Sequence, residues 1–241
     1  RKAGRCVLEG EHIVAAYCRR HGAAETLLIA ETALDRPAIQ ALQATVPAAQ
    51  TLIVAPAAWA DFSQLPAAVG ALAVVATPTR SFERAADFCV LLEDVQDPGN
   101  VGSILRSAAA AGVAQVFLSA QCAFAWSPKV LRAAQGAHFH LEIYEDVDLP
   151  AWAKSYRGTV AAAVAAGGKA LYAADLTGPL ALAIAIGNEG AGLSAALRAA
   201  ASIEVTIPMP GDFESLNAAA AAAVVLFECV RQRRERSPQH R

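Results

Sequence analysis

Ile207-Pro208-Met209-Pro210-Gly211-Asp212-Phe213-Glu214-Ser215-Leu216-Asn217 joins a β-branched run, 203–207, to an alanine-rich run that reaches Phe227. The first run reads as a strand and the second as a helix. Two prolines and a glycine fix the turn between them. Asp212, Glu214 and Ser215 are placed to hold the orphan N–H groups of the helix start. Asn217 falls in the first turn, where alanine is the better helix former. A plain strand-to-helix joint needs only a glycine and a cap, so the extra polar residues mark a binding loop.

Working outward, the same strand-then-helix rhythm fills the chain. Apolar runs at 6–8, 26–30, 51–55 and 72–76 read as strands, separated by helical patterns at 13–20, 37–44 and 56–64. A polar hinge at 77–84 follows. Phe88-Cys89-Val90-Leu91-Leu92 is a continuous apolar strand of the type buried on both faces. After it come a helix at 101–111, strands at 116–118, 139–144, 159–164 and 182–186, and helices opening at Ser127-Pro128, at 149–156 and at 193–200. The C-terminal helix is expected to run on into 231–236. Strands alternating with helices give an α/β layered fold. The division expected is a smaller α/β unit at 1–79, a linker at 80–87 and a larger unit at 88–241.

Two further loops leave the carboxyl ends of apolar strands, the edge where open α/β sheets take ligands. In Asp97-Pro98-Gly99-Asn100-Val101-Gly102-Ser103-Ile104-Leu105-Arg106, Pro-Gly makes the turn, Gly102 permits close backbone approach and Asn100 stands near the N-cap. Arg106 follows on the face of Asn100 or Gly102. Among Ile104, Leu105 and the alanines at 108–111 an arginine cannot be buried unpaired, so it calls for an anion. Gly187-Asn188-Glu189-Gly190-Ala191-Gly192 has three glycines but matches neither the dinucleotide fingerprint nor the phosphate-binding loop. Glu189 can accept from a ligand amine or hydroxyl, or pin the loop.

Composition bounds the reading. Hydrophobic residues make up 55% of the 241 and charged residues 17%, so a well-buried core is expected. The net charge of -2 argues alone against a nucleic-acid binder. The charge is uneven, however: from Arg231 to Arg241 five arginines face one glutamate. The five cysteines are widely spaced with no C-x-x-C, which suits a reducing cytosol and argues against a disulfide scaffold or zinc site. His12, His21, His138 and His140 show no metal-ligand spacing, and Asp94 and Asp97 read as loop-fixing carboxylates. No apolar run approaches the roughly 18 residues of a membrane span. The first residue is Arg and no signal peptide is visible, so a trimmed N-terminus is expected.

Taken together, 92–106, Ile186-Gly187-Asn188-Glu189-Gly190-Ala191-Gly192-Leu193 and the opening stretch resemble the three motifs of the SpoU/TrmH family of RNA 2′-O-ribose methyltransferases, in order and spacing. Pro128-Lys129-Val130-Leu131-Arg132 and Gly136-Ala137 resemble that family's intermediate segment. The resemblance covers about 88–231. The stretch Gly4-Arg5-Cys6-Val7-Leu8-Glu9-Gly10-Glu11-His12 resembles, more weakly, the family's smaller RNA-binding domain. The resemblance implies a C-terminal trefoil knot, which topology rules alone would not suggest. It also implies a homodimer in the cytoplasm and S-adenosylmethionine as cofactor. Gly187, Ile207 and Leu216 align with cofactor contacts, with Glu189, Met209, Ser215 and Asn217 in the same region. Arg106 aligns with the residue beside the target ribose, and Asn100 would orient Arg106 or the ribose. A guanidinium titrates above about 12, so a phosphate clamp that polarises the hydroxyl competes with a role as base.

Some positions depart from the pattern. Ala163-Val164-Ala165-Ala166-Gly167-Gly168 is apolar where Ser or Thr is expected, and Ala134 and Ala218 also differ. The expected substrate is structured RNA, ribosomal RNA ahead of transfer RNA. It would be held on a basic face built from Arg1, Lys2, Arg5, Arg132 and the terminal arginines. Two alternatives stand beside this: a non-catalytic RNA-binding or ribosome-assembly factor that kept the fold, and a methyltransferase acting on a base.

Overall fold

The computed structural model describes residues 4–63, 69–79, 82–177, 181–211 and 214–236. The chain begins with β1 (Arg5–Glu9), α1 (Glu11–His21), β2 (Thr26–Ala30), α2 (Pro37–Thr45), β3 (Thr51–Val54), α3 (Pro56–Phe62) and β4 (Ala71–Ala76). These strands form one sheet in the order β1-β4-β2-β3, with only β2 and β3 parallel. α2 and α3 each open on a proline at the first turn, where its missing N–H costs nothing.

The remainder runs β5 (Phe88–Leu92), α4 (Pro98–Ala110), β6 (Gln115–Leu118), α5 (Pro128–Ala134), β7 (Glu142–Tyr144), α6 (Leu149–Ser155), β8 (Thr159–Ala163), β9 (Lys169–Ala170), β10 (Leu182–Ile186), α7 (Ala195–Ala200), β11 (Ile203–Thr206) and α8 (Ala218–Arg236). Its seven strands lie in the order β7-β6-β5-β10-β8-β11-β9, and every pairing is parallel. β5 and β10 are buried along their whole length at the centre and pair in register, with Leu92 opposite Ile186. Their side chains alternate between two cores. Val90, Leu92, Ile184 and Ile186 pack with α4, α5 and α8, whereas Cys89, Leu91, Ala183 and Ala185 pack with Leu149 and Trp152 of α6 and Leu197 of α7. That is the layering a fully parallel sheet needs, since both faces must be covered.

The first core continues into the four-stranded sheet without a break, through residues such as Leu8, Tyr17 and Leu27. Tyr17 and His21 of α1 meet Phe139 edge-on, with ring centroids 5.8 and 5.9 Å away. Gly102 is where α4 and α5 touch: a Cβ there would lie 2.4 Å from the Ala133 Cβ. Its missing side chain therefore lets the α4 and α5 backbones approach closely.

Other differences are local. α4 starts at Pro98 rather than 101, because Asp97 accepts the Asn100 N–H at 2.8 Å and caps it. Asn100 is thus inside the first turn. The expected strand at 139–144 splits into a 3₁₀ turn (Ala137–His140) and three residues of β7. The left-handed backbone at Gln135 and Gly136 feeds that turn. In α8 the cap is Asn217, whose Oδ1 accepts from the N–H groups of Ala219 and Ala220 at 2.9 and 3.2 Å. Asn217 therefore precedes the helix, and Glu214 and Ser215 leave the capping to it. Asp212 lies outside the described residues.

Candidate functional site

The loops that follow β5, β10 and β11 meet at the carboxyl edge of the sheet. Glu93, one residue past β5, is buried and accepts from the backbone N–H and the hydroxyl of Ser194, both at 2.7 Å. Ser194 in turn caps α7. Asn188 donates from Nδ2 to the Asp94 carbonyl at 2.8 Å, while its Oδ1 accepts the Gly190 and Ala191 N–H groups. Glu189 accepts from the backbone N–H groups of Gln96 and Asp97 at 3.3 and 3.1 Å and from Asn100 Nδ2 at 2.9 Å. Asn100 Oδ1 then accepts from Asn217 Nδ2 at 2.8 Å. A continuous set of side-chain bonds therefore ties the three loops together.

Electrostatics agree with this bonding at Glu189. Partial burial raises its carboxyl, but the hydrogen bonds from Asn100, Asp97 and Gln96 outweigh that and hold it below its ordinary value. The carboxylate is ionised at neutral pH and engaged in pinning the first loop to the second. Of the two roles open from sequence, the pin is the one with observed partners.

Beside these bonds lies a cleft of about 320 Å³. Ala163, Val164 and Ala165 wall it at the end of β8, Ile186 through Gly190 at the end of β10, Val205 of β11 with Ile207 and Met209 beyond it, and Glu214, Ser215 and Leu216 before α8 with Ala218 and Ala221 in its first turn. Gly187 cannot carry a side chain: a Cβ would lie 2.3 Å from the Gly192 carbonyl carbon. The loop is closed by reciprocal backbone bonds between Asn188 and Gly192, both 3.0 Å. At Gly187 the cleft is walled by backbone.

Six of the seven residues singled out from sequence as cofactor contacts line this cleft: Gly187, Glu189, Ile207, Met209, Ser215 and Leu216. Asn217 does not; it is held between the α8 cap and Asn100. Asn100 is buried and bonded to Glu189 and Asn217, not to Arg106. Arg106 is exposed on α4 rather than buried among its apolar neighbours, so the inference that burial demands an anion fails. Ile104, Leu105 and Ala108 turn inward and Arg106 turns out. Sequence reasoning missed Asn188 and Glu93, the residues that close the second loop and lock it to β5. An acid directly after a fully apolar strand was the available signal for Glu93.

Three arginines of the expected basic face are held in ion pairs. Arg5 Nε lies 2.6 Å from Glu25 Oε2, and Arg132 Nη2 lies 3.3 Å from Glu9 Oε2. Arg231 bridges Glu228 and Glu235 at 2.8 Å each. Arg1, Lys2 and the last five residues lie outside the described residues.

Residues 87–227 match the model of the SpoU rRNA Methylase family. The chain belongs to that family. Among SpoU-family relatives, it is 37% identical over 140 residues to the 23S rRNA (guanosine(2553)-2′-O)-methyltransferase RlmP of Bacillus subtilis, covering 57% of this chain and 56% of that one. It is 36% identical over 174 residues to the 23S rRNA (uridine(2479)-2′-O)-methyltransferase of Streptomyces viridochromogenes, covering 67% of this chain and 60% of that one. The chain thus spans a little over half the length of such relatives. The solved structure of the SpoU methyltransferase AviRb from Streptomyces viridochromogenes, in complex with AdoMet, superposes with a TM-score of 0.84 at 30% identity, over 96% of this chain and 91% of that one. The α/β fold and its mostly parallel sheet are those of SpoU methyltransferases.

Proposed function

We propose that the chain transfers a methyl group from S-adenosylmethionine to a ribose 2′-hydroxyl of structured RNA, ribosomal RNA ahead of transfer RNA. The observation that carries this is the cleft formed where three side-chain-tied loops meet at the carboxyl edge of a parallel sheet. Its composition fits the cofactor: a backbone wall at Gly187, apolar walls at Ile207, Leu216 and Val164, and carboxylates at Glu189 and Glu214. When bound there, S-adenosylmethionine supplies an activated methyl group on a sulfonium centre. Gly187, Ile207 and Leu216 would hold it, with Met209, Glu189 and Ser215 alongside.

The chain's own residues then have to align the ribose oxygen and help it lose a proton. Arg106, exposed and with no bonded partner among the described residues, is free to engage a substrate phosphate bidentately and polarise the hydroxyl. Asn100 acts as a positioning residue through Glu189 and Asn217. The apolar stretch at 163–165 supplies a hydrophobic wall in place of a side-chain hydroxyl. Further parts of the reading are a knotted crossing of the loops around 187–217, an RNA-binding unit at 1–79 joined by a linker at 80–87 to the unit at 88–241, a homodimer and a cytoplasmic location. Exposed Phe227 supports a partner over α8.

Isothermal titration with S-adenosylmethionine, followed by incubation with ribosomal RNA and labelled cofactor, tests the reading. Nuclease digestion and nucleoside mass spectrometry should find the label on ribose with the base mass unchanged. Label on the base would replace the hydroxyl with a base as acceptor. A well-folded chain that binds RNA but no cofactor would point instead to a non-catalytic RNA-binding factor.

A further inference from the structure

A second concave region lies where the four-stranded sheet's helix α1 meets the larger sheet, and it shares no residue with the cleft. It has two compartments. One is a crevice of about 300 Å³ walled by Arg20, His21, His138, Phe139 and His140. Arg20, His21 and His140 are exposed at its rim. The carboxylate on the same wall, Glu142, is engaged by Gln115 Nε2 at 2.8 Å and the Tyr144 hydroxyl at 3.1 Å. The other compartment, of about 410 Å³, is walled by Phe82, Phe117, Tyr144 and Trp152. Pro78, Trp126 and Ile143 line both, so the two are continuous.

The aromatic compartment is built rather than accidental. Phe117 and Tyr144 stack at 5.0 Å and 12°, and Phe82 sets its edge against both at 5.5 Å. Phe82 is nevertheless 50% exposed. An aromatic ring half open to water at the rim of an aromatic wall leaves π-surface for one more ring. His138 also lines the crevice. Its Nε2 bonds the Ala125 carbonyl at 2.7 Å, and a carbonyl only accepts, so Nε2 carries the proton. Nδ1 is then a bare lone pair, buried and without a hydrogen-bond partner among the described residues. Burial pushes the ring down to about 4, which keeps it neutral at physiological pH.

A cation and open aromatic surface in one continuous hollow are two of the contacts an unstacked nucleotide makes. We infer that this junction is a second RNA-contact site that takes a single unstacked nucleotide of the substrate, its phosphate at Arg20 and its base against Phe82 and Tyr144. The inference rests on the RNA-methylation reading and adds where the RNA is held away from the reacting ribose.

The test measures binding of ribosomal RNA to the full chain at several salt concentrations, for wild type, Arg20→Glu and Phe82→Ala. Titration with S-adenosylmethionine serves as the control for an intact fold. R20E is expected to weaken RNA binding about tenfold and to lower the salt slope by about one. F82A is expected to weaken it about tenfold through lost stacking, with the salt slope kept. Cofactor affinity stays unchanged in both. RNA carrying 4-thiouridine is expected to cross-link within the tryptic peptide 133–154, a readout independent of either variant. Wild-type RNA affinity in both variants, with no cross-link in that peptide, overturns the junction site while leaving the methylation reading intact. A wild-type chain that binds cofactor but no RNA overturns both.

Discussion

Asn217 Nδ2 donates to Asn100 Oδ1 across 2.8 Å, joining residues 117 positions apart in sequence. The same Asn217 uses its own Oδ1 to cap α8, so one amide both starts the last helix and fixes it to the first turn of α4. Replacing it with alanine removes both functions. We expect Asn217→Ala to lower stability by about 1–2 kcal/mol and to weaken cofactor binding. Asn217→Asp keeps the cap and loses the donor, so it should recover part of the stability but not the cofactor affinity. Thermal unfolding and calorimetric titration separate the two effects.

Arg106 is exposed on α4 and free of any described partner, so its removal leaves the core untouched. Arg106→Ala should leave the melting temperature and cofactor affinity within error of wild type while methyl transfer falls at least about a hundredfold. Single-turnover transfer rates check this. Equal rates in mutant and wild type would take Arg106 out of the mechanism.

Glu189 holds three N–H groups of the first loop. Its carboxyl is depressed in the folded state, so its contribution is fully present above its ordinary value of 4.5 and disappears as pH falls through the lower folded value. The residue is exposed, so solvent screening keeps its share of stability to about 1 kcal/mol or less. Glu189→Gln presents an amide N–H to donors, and we expect cofactor affinity to suffer more than global stability. Titration and unfolding midpoints at pH 7 compare the two.

His138 makes a pH prediction of the same sign, in a higher window. Its folded value is pushed down from 6.5 to about 4 by burial, so between those values the unfolded chain binds a proton that the folded chain refuses. Stability therefore falls as pH drops through that window, by about 2 kcal/mol between pH 7 and pH 5. His138→Gln can still donate to the Ala125 carbonyl and should flatten the profile. Urea midpoints across pH 5–7 test it.

Gly187 tolerates no side chain, with Gly192 only 2.3 Å from the place a Cβ would take. Gly187→Ala should cost about 1–3 kcal/mol and open the Asn188–Gly192 closure, weakening cofactor binding in calorimetric titration. Gly190→Ala, where the Asn188 Oδ1 comes no nearer than 3.7 Å, is the control expected to keep wild-type stability.

Much of this was legible in the residues because buried parallel strands announce themselves. Phe88–Leu92 and Leu182–Ile186 are apolar at every position, and both were read to the residue. Ser127-Pro128 gave the start of α5 for the same local reason, a cap followed by proline. What failed depended on partners far away in sequence. The inward turn of Ile104 and Leu105 hid the outward turn of Arg106, because composition alone does not reveal a helix's face. Asn217 looked like a poor helix residue because its partner Asn100 is invisible locally. β9 is two residues long and exists only by pairing with Val205 and Thr206. Gly102 was legible as a point of close approach, but nothing near it in sequence announces Ala133 as its neighbour.

The register of the two central strands carries a last consequence. Leu92 stands opposite Ile186, so the chain leaves the sheet into the first and second loops at the same height. Each strand residue advances the chain by about 3.3 Å and reverses the face of the next side chain. Deleting one residue from either strand would lower one loop by that distance and drive one core's side chains into the other. The paired strands act as a common ruler for the loops above them. Changes of residue type within the loops leave that ruler alone, whereas a change of strand length misaligns Glu189 with its three donors at once.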